Sequence, residues 1–145
     1  MTIEVTKDLT STTYQDALAI RTTVFVEEQN VPADLEVDSE EARAIYFVAY
    51  DQGLALGTAR LLKEGYGYHV QRVAVLKAYR HHGIGAQLLD AIVDYAQAHD
   101  AGELRLGAQL TAVGFYKGLG FHLTEKPEFL DAGIRHREMA LNLTD

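Results

Sequence analysis

The chain has 145 residues, no cysteine and a formal net charge of -8. The lack of cysteine excludes a disulfide framework, a thiolate metal site and a cysteine nucleophile, and it agrees with a reducing compartment. The acidity argues against a general nucleic-acid binder, which neutralises phosphates with surplus Lys and Arg. The length fits one domain spanning residues 1–145. The N-terminal MTIEVTKDLT holds no signal-peptide core. No apolar run approaches the roughly 18 residues of a membrane span. The sequence therefore reads as a cytoplasmic protein with no membrane partner, whose negative charge first serves solubility and would also attract a cationic substrate.

IEVTK alternates apolar and polar residues, as a half-buried strand does. The spacing of Tyr14, Ala17, Leu18, Val24 and Phe25 predicts a helix over residues 12–25. Arg21 falls on its apolar face, an odd position for a charge, and is read as paired internally with Glu28 or as a ligand for a substrate carboxylate. EEQNVPADLEVDSEEA is acidic and broken by Pro32, so it reads as a loop or short helix beside a functional surface. Three antiparallel strands follow, AIYFVAYD, LALGTARLL and YHVQRVAVL, joined by the turn signals DQG and GYG. The period then changes. Leu88, Leu89, Ile92, Val93 and Ala96 give a helical stripe from Gly83 to about residue 99. ELRLGA reads as a buried strand, residues 111–119 as a second helix stopped by Gly120, and residues 135–143 as the last strand. The fold class is α/β (α+β mixed): a mixed, mostly antiparallel sheet with helices on both faces and a central parallel strand pair.

The most informative stretch is VAVLKAYRHHGIGAQLL. A strand runs into a turn holding Gly83 and Gly85, and a helix begins at once. The first helical N–H groups lack partners and carry the positive end of the dipole, which makes an anion site. Lys77, Arg80, His81 and His82 concentrate positive charge there. Gly85 is followed by Ala86 and Gln87, not by Lys and Ser/Thr, so a Walker loop is excluded. Two glycines do not make a dinucleotide fingerprint.

Arg80-His81-His82-Gly83-Ile84-Gly85 resembles the pyrophosphate-binding signature Gln/Arg-x-x-Gly-x-Gly/Ala of the GNAT N-acetyltransferases. GAQLTAVGFYKGLGF is similar to that family's passage from the fifth strand into the following helix. VFVEEQNVPADLEVD and GIRHREMAL resemble its bacterial ElaA/YjcF-like branch. The resemblance implies a cofactor site at Val73, Ala74 and Val75 for the pantetheine arm of acetyl-CoA. It implies a pyrophosphate cradle at Arg80, His82, Gly83, Gly85 and Ala86. Gln109 stands where the family often has Asn, and Tyr116 matches the tyrosine near the thioester sulfur. The implied activity is acetyl transfer to an amine, most simply a small molecule, by direct attack. A catalytically silent acetyl-CoA sensor is the alternative. Candidate bases are Glu28 and His136, with Glu27, Glu36, Asp38 or a water chain as alternatives, while Arg21, Glu28 and Asp38 are candidate substrate-binding residues. No metal is expected, and the family's dimers imply a homodimer.

Overall fold

The computed structural model describes residues 1–144. Strands β1 (Thr2–Thr6), β2 (Ile45–Asp51), β3 (Leu54–Glu64) and β4 (Gly67–Val75) form an antiparallel meander. Gln52 and Gly53, both at positive φ, make the two-residue turn between β2 and β3, where glycine relieves the strain. Helix α3 (Ile84–Ala98) crosses over to β5 (Glu103–Gln109), which lies parallel to β4. Strand β8 (Ile134–Asn142) pairs antiparallel with β5 and also carries β6 (His122–Leu123) and β7 (Phe129–Asp131). Helix α1 (Thr12–Arg21) covers one face of the sheet, and α3 with α4 (Val113–Gly118) the other.

The apolar pattern explains both layers. Leu88, Leu89, Ile92 and Ala96 lie on one stripe of α3 and are buried against Phe47, Leu61, Leu104 and Leu106. On the opposite face Tyr14, Ala17 and Ile20 of α1 pack on Tyr46, Val48 and Leu62. Ser11 caps α1 by accepting from the Tyr14 N–H at 3.1 Å. The expected long first helix departs from α geometry after Arg21. Residues Thr22–Glu28 widen into π-helical turns, closed by Gln29 N–H donating to the Val24 carbonyl. The acidic stretch forms a single turn, α2 (Ala33–Glu36), then a 3-10 turn (Glu41–Arg43). Strands β6 and β7 were not expected from the sequence.

Arg21 is fully buried. Its partners are not Glu28. Its Nε lies 2.7 Å from Glu36 and its Nη1 2.8 Å from Glu41. Glu41 also binds Arg60 at 2.8 Å, Arg60 binds Asp38 at 2.7 Å, and Arg72 reaches Glu36 at 3.1 Å and Asp38 at 3.2 Å. Three guanidinium groups thus face three carboxylates. Tyr14 and Tyr46 donate their hydroxyls to Glu41 at 3.0 Å. The network ties α1 and the acidic segment to β3 and β4.

Burial opposes the charge of Glu41, but the hydrogen bond and charge of Arg21, the Asp38 N–H and the charge of Arg60 outweigh it. Its carboxyl is held well below the usual carboxylate range. A depressed carboxylate pKa stabilises the fold fully above the unfolded value of about 4.3 and progressively less as pH falls below it. Glu41→Gln leaves Arg21 and Arg60 short of a charge and should cost about 3 kcal/mol at pH 7. Denaturant melts from pH 7 to pH 3 should show the gap between wild type and variant closing at the acid end. A constant gap would mean that Glu41 is not held ionised.

Candidate active site

Strands β4 and β5 pair only from Gly67 opposite Glu103 to Val70 opposite Leu106. Beyond that they part, because β4 carries a bulge. Gln71 pairs with Arg60 and Ala74 with Thr58, so Arg72 and Val73 both oppose Ala59. Arg72 sits at φ +55. A bulge of this kind bends its strand, and here it swings the end of β4 away from β5. The freed edge has a definite polarity. Leu76 donates its N–H to Leu56 on β3 at 2.9 Å, so by alternation the N–H of Val75 faces the gap. Ala74 is turned toward β3 instead, and its side chain is buried under α1. Of the three expected pantetheine positions, Val73 and Val75 therefore border the gap and Ala74 faces away.

The same edge leads to the glycine turn. Gly83 caps α3 at φ +81, where glycine is favoured, and makes no side-chain cap. The first intrahelical bond runs from Gln87 to Gly83, which leaves the N–H groups of Ile84, Gly85 and Ala86 without helical partners. A Cβ on Gly83 would meet nothing within 4 Å, so open space lies above the turn. A Cβ on Gly85 would stand 3.2 Å from Phe115 of α4. His82 is exposed beside the turn.

Arg80 bridges the two structures. It donates Nε to the Val75 carbonyl at 2.9 Å and both Nη groups to Glu28 at 2.6 and 2.7 Å. The hydrogen bond from Arg80 holds the Glu28 carboxyl below its ordinary pKa. Glu28 is therefore tied to the chain just before the glycine turn, and its carboxylate is committed. The next residue, Gln29, accepts from Gln109 Nε2 at 2.9 Å, so adjacent residues closing the π segment tie it to the end of β5 and to the chain just beyond β4.

On the α1 side of the gap lies a cleft of about 440 Å³. Tyr116, Gln109 and His136 line it, as do Gln71, Lys126 and Phe129, which sequence reasoning had not singled out. Tyr116 is buried, and burial alone pushes its phenol well above the usual range. Its hydroxyl has no hydrogen-bond partner among the described residues. His136 has Nδ1 2.7 Å from the Ile134 carbonyl. A carbonyl only accepts, so Nδ1 carries the hydrogen and Nε2 the lone pair of the neutral ring. The ring stacks on Phe129 at 5.6 Å. Gly107 permits this, since a Cβ there would fall 3.0 Å from the Phe129 ring. His69 also lines the cleft, with Nδ1 3.1 Å from the Tyr66 hydroxyl, and burial lowers its pKa. The alternation of Tyr68 and Val70 inward was the available signal for His69 and Gln71 on the other face. Asp38, bound to Arg60 and Arg72, and Arg21, fully buried, support the cleft wall from behind. No group of three His, Asp or Glu fit to hold a metal occurs among the described residues, and no helix there is long and apolar enough to cross a membrane.

The acetyltransferase (GNAT) domain model matches residues 8–143. The uncharacterized N-acetyltransferase YjcF of Bacillus subtilis (strain 168) is 41% identical over 126 residues, which is 86% of this chain and 89% of that protein. The crystal structure of an acyl-CoA N-acyltransferase from Pseudomonas aeruginosa superposes with a TM-score of 0.84 at 28% identity, covering 97% of this chain and 99% of that one. Escherichia coli ElaA superposes with a TM-score of 0.85 at 25% identity over the same shares of the two chains. A parted parallel pair opening onto a glycine-capped helix, in a sequence that matches along nearly its whole length, makes this chain a member of the GNAT acetyltransferase family.

Proposed function

We propose that the protein transfers the acetyl group of acetyl-CoA to the amine of a small molecule by direct attack, without a covalent enzyme intermediate. The observation that carries this reading is the succession of three features along the parted strands: the unpartnered N–H groups at the start of α3, the free edge of β4 that leads to them, and the cleft lined by Tyr116 and His136. A diphosphate suits the helix N-terminus, and an amide-bearing arm suits a strand edge, which binds through its backbone. Acetyl-CoA supplies the activated acyl group as a thioester.

Each residue then has a bounded task. The Val75 N–H polarises the thioester carbonyl and stabilises the oxyanion. His136 Nε2 takes the proton that the attacking amine must lose. The new C–N bond forms as the C–S bond breaks, and Tyr116 gives its proton to the departing thiolate. Its raised pKa keeps it protonated at neutral pH. Glu28 is set aside as the base, because Arg80 holds it ionised and hydrogen-bonded. Arg80 and Gln109 then act mainly by shaping the opening. A silent sensor would have no use for an unbonded phenol and a lone-pair imidazole lining one cleft.

Saturating acetyl-CoA, at about 100 times its dissociation constant, should stabilise the fold by roughly 2.7 kcal/mol. Gly83→Val should lose most of this gain, since the branched side chain enters the space above the turn. A melt unmoved by acetyl-CoA would end the cofactor reading.

Tyr116→Phe keeps the ring and removes the proton. Turnover should fall by about 10²- to 10⁴-fold while the acetyl-CoA dissociation constant stays within about twofold. A near-normal single-turnover rate would leave water to protonate the thiolate.

His136→Gln should lower turnover by about 10²- to 10⁴-fold while the acetyl-CoA dissociation constant stays within about twofold. If Glu28→Gln lowers turnover in that way and His136→Gln does not, the base is Glu28.

A further inference from the structure

Gln71 is a side chain on the cleft wall whose orientation is fixed from behind. Its Oε1 accepts from Arg60 Nε at 3.2 Å and Nη2 at 2.8 Å. A guanidinium has no acceptor, so the amide cannot be turned round. Its NH2 group, which has no partner among the described residues, is left for the cleft that Gln71 lines. Arg60 is itself held by Glu41 and Asp38. The donor is thus anchored through the buried charge network.

A cation stands near it. Lys126 Nζ lies over the Phe129 ring, 4.4 Å from its centroid, and makes no ion pair among the described residues. The Phe129 ring sits on Gly107. Gly107 follows Leu106, the partner of Val70, and Gln71 follows Val70. The ammonium and the amide therefore border the same strip of cleft floor. The charge of Lys126 is also felt at His69, on the same face of β4 two residues before Gln71. Arg72, the neighbouring cation, is already taken by Glu36 and Asp38. Across the floor, His136 and Glu138 share one face of β8, and Glu138 accepts only from Thr124.

We propose that Gln71 and Lys126 form a carboxylate-binding subsite, so that the acceptor is an amino-carboxylate whose amine lies toward His136 and Glu138. This rests on the acetyl-transfer reading above. A carboxylate accepts from both a neutral amide and an ammonium, and the charged bond is the stronger. The net charge of -8 does not repel such an acceptor, because an amino-carboxylate is a zwitterion at neutral pH. A diamine would find an unpaired ammonium and an outward NH2 where it needs acceptors.

Thiol release from acetyl-CoA should be measured with amino acids, their primary amides and the matching alkylamines and diamines. The carboxylate members should have kcat/KM at least about tenfold above the others. Lys126→Ala should raise KM for them about tenfold and leave the acetyl-CoA melting shift intact. Gln71→Glu keeps an oxygen on Arg60, so the fold is retained, yet it turns an oxygen toward the cleft. It should raise the same KM by tenfold or more. In parallel, calorimetry on coenzyme A-saturated protein should find N-acetyl amino acids binding more tightly than N-acetyl alkylamines, a readout that needs no turnover. Equal or better use of amides or diamines, equal binding of the two acetylated products, or variants without effect would overturn the subsite. A missing acetyl-CoA shift is a different failure, that of the cofactor reading itself.

Discussion

Three arginines and three carboxylates, buried or half-buried between α1, the acidic segment and the meander, decide where the wall of the cleft stands. Arg21, Arg60 and Arg72 balance Glu36, Asp38 and Glu41, so the cluster adds no net charge to the interior. Such clusters are weak sources of stability, because desolvation offsets most of the Coulomb gain. Their value is geometric. A guanidinium has five donors in a fixed fork, and it accepts few arrangements of partners. The acidic segment has little apolar content to dock it, and Leu35 and Val37 are exposed. It is therefore positioned by ion pairs. The same arginines reach the bulge of β4 and fix Gln71, so the wall and the floor of the cleft are set by one network.

The bulge and the network are mutually dependent. Two residues of β4 must face one of β3 for Arg72 to point toward Glu36 and Asp38 while Gln71 stays on Arg60. That extra residue also parts β4 from β5. An opening between parallel strands would otherwise leave backbone groups unpaired at no gain. Here the exposed edge, the free turn of α3 and the cleft follow one another along the parted strands, an order that suits a long thioester substrate.

Most of the fold was legible in the sequence. The 2-residue period of the meander, the 3.6-residue stripe of α3 and the turn signals DQG and GYG fall where the elements lie. What was missed has local causes. Strand β6 is two residues long, below any period. The β7–β8 turn is Asp131-Ala132-Gly133-Ile134, with Ala132 at positive φ where Asn or Asp gives the usual signal. The π segment keeps an apolar face at almost helical spacing, so Val24 and Phe25 look like a continued α-helix. The bulge leaves only a faint mark in YHVQRVAVL, where the apolar phase slips from Tyr68 and Val70 to Val73 and Val75 across the polar pair Gln71-Arg72.

The site was legible in its backbone parts and less so in its charges. Gly83 and Gly85 announce a helix N-terminus, and the match around Tyr116 carries the phenol to the cleft. Charge pairing is another matter. Arg21 lies seven residues from Glu28, and one helical face joins them on paper, yet Glu28 belongs to Arg80. The reason is the widening after Arg21. Each π turn adds a fraction of a residue to the helical period, and over Thr22–Glu28 that rotates Glu28 off the face of Arg21 and toward the end of β4. Arg21 is then left beneath the acidic segment, where Glu36 and Glu41 meet it. Glu28 and Gln29, turned outward together, reach Arg80, just beyond the end of β4, and Gln109, the last residue of β5. A change of helical pitch over seven residues thus frees one arginine for the buried network and supplies the ties that hold the opening on both sides.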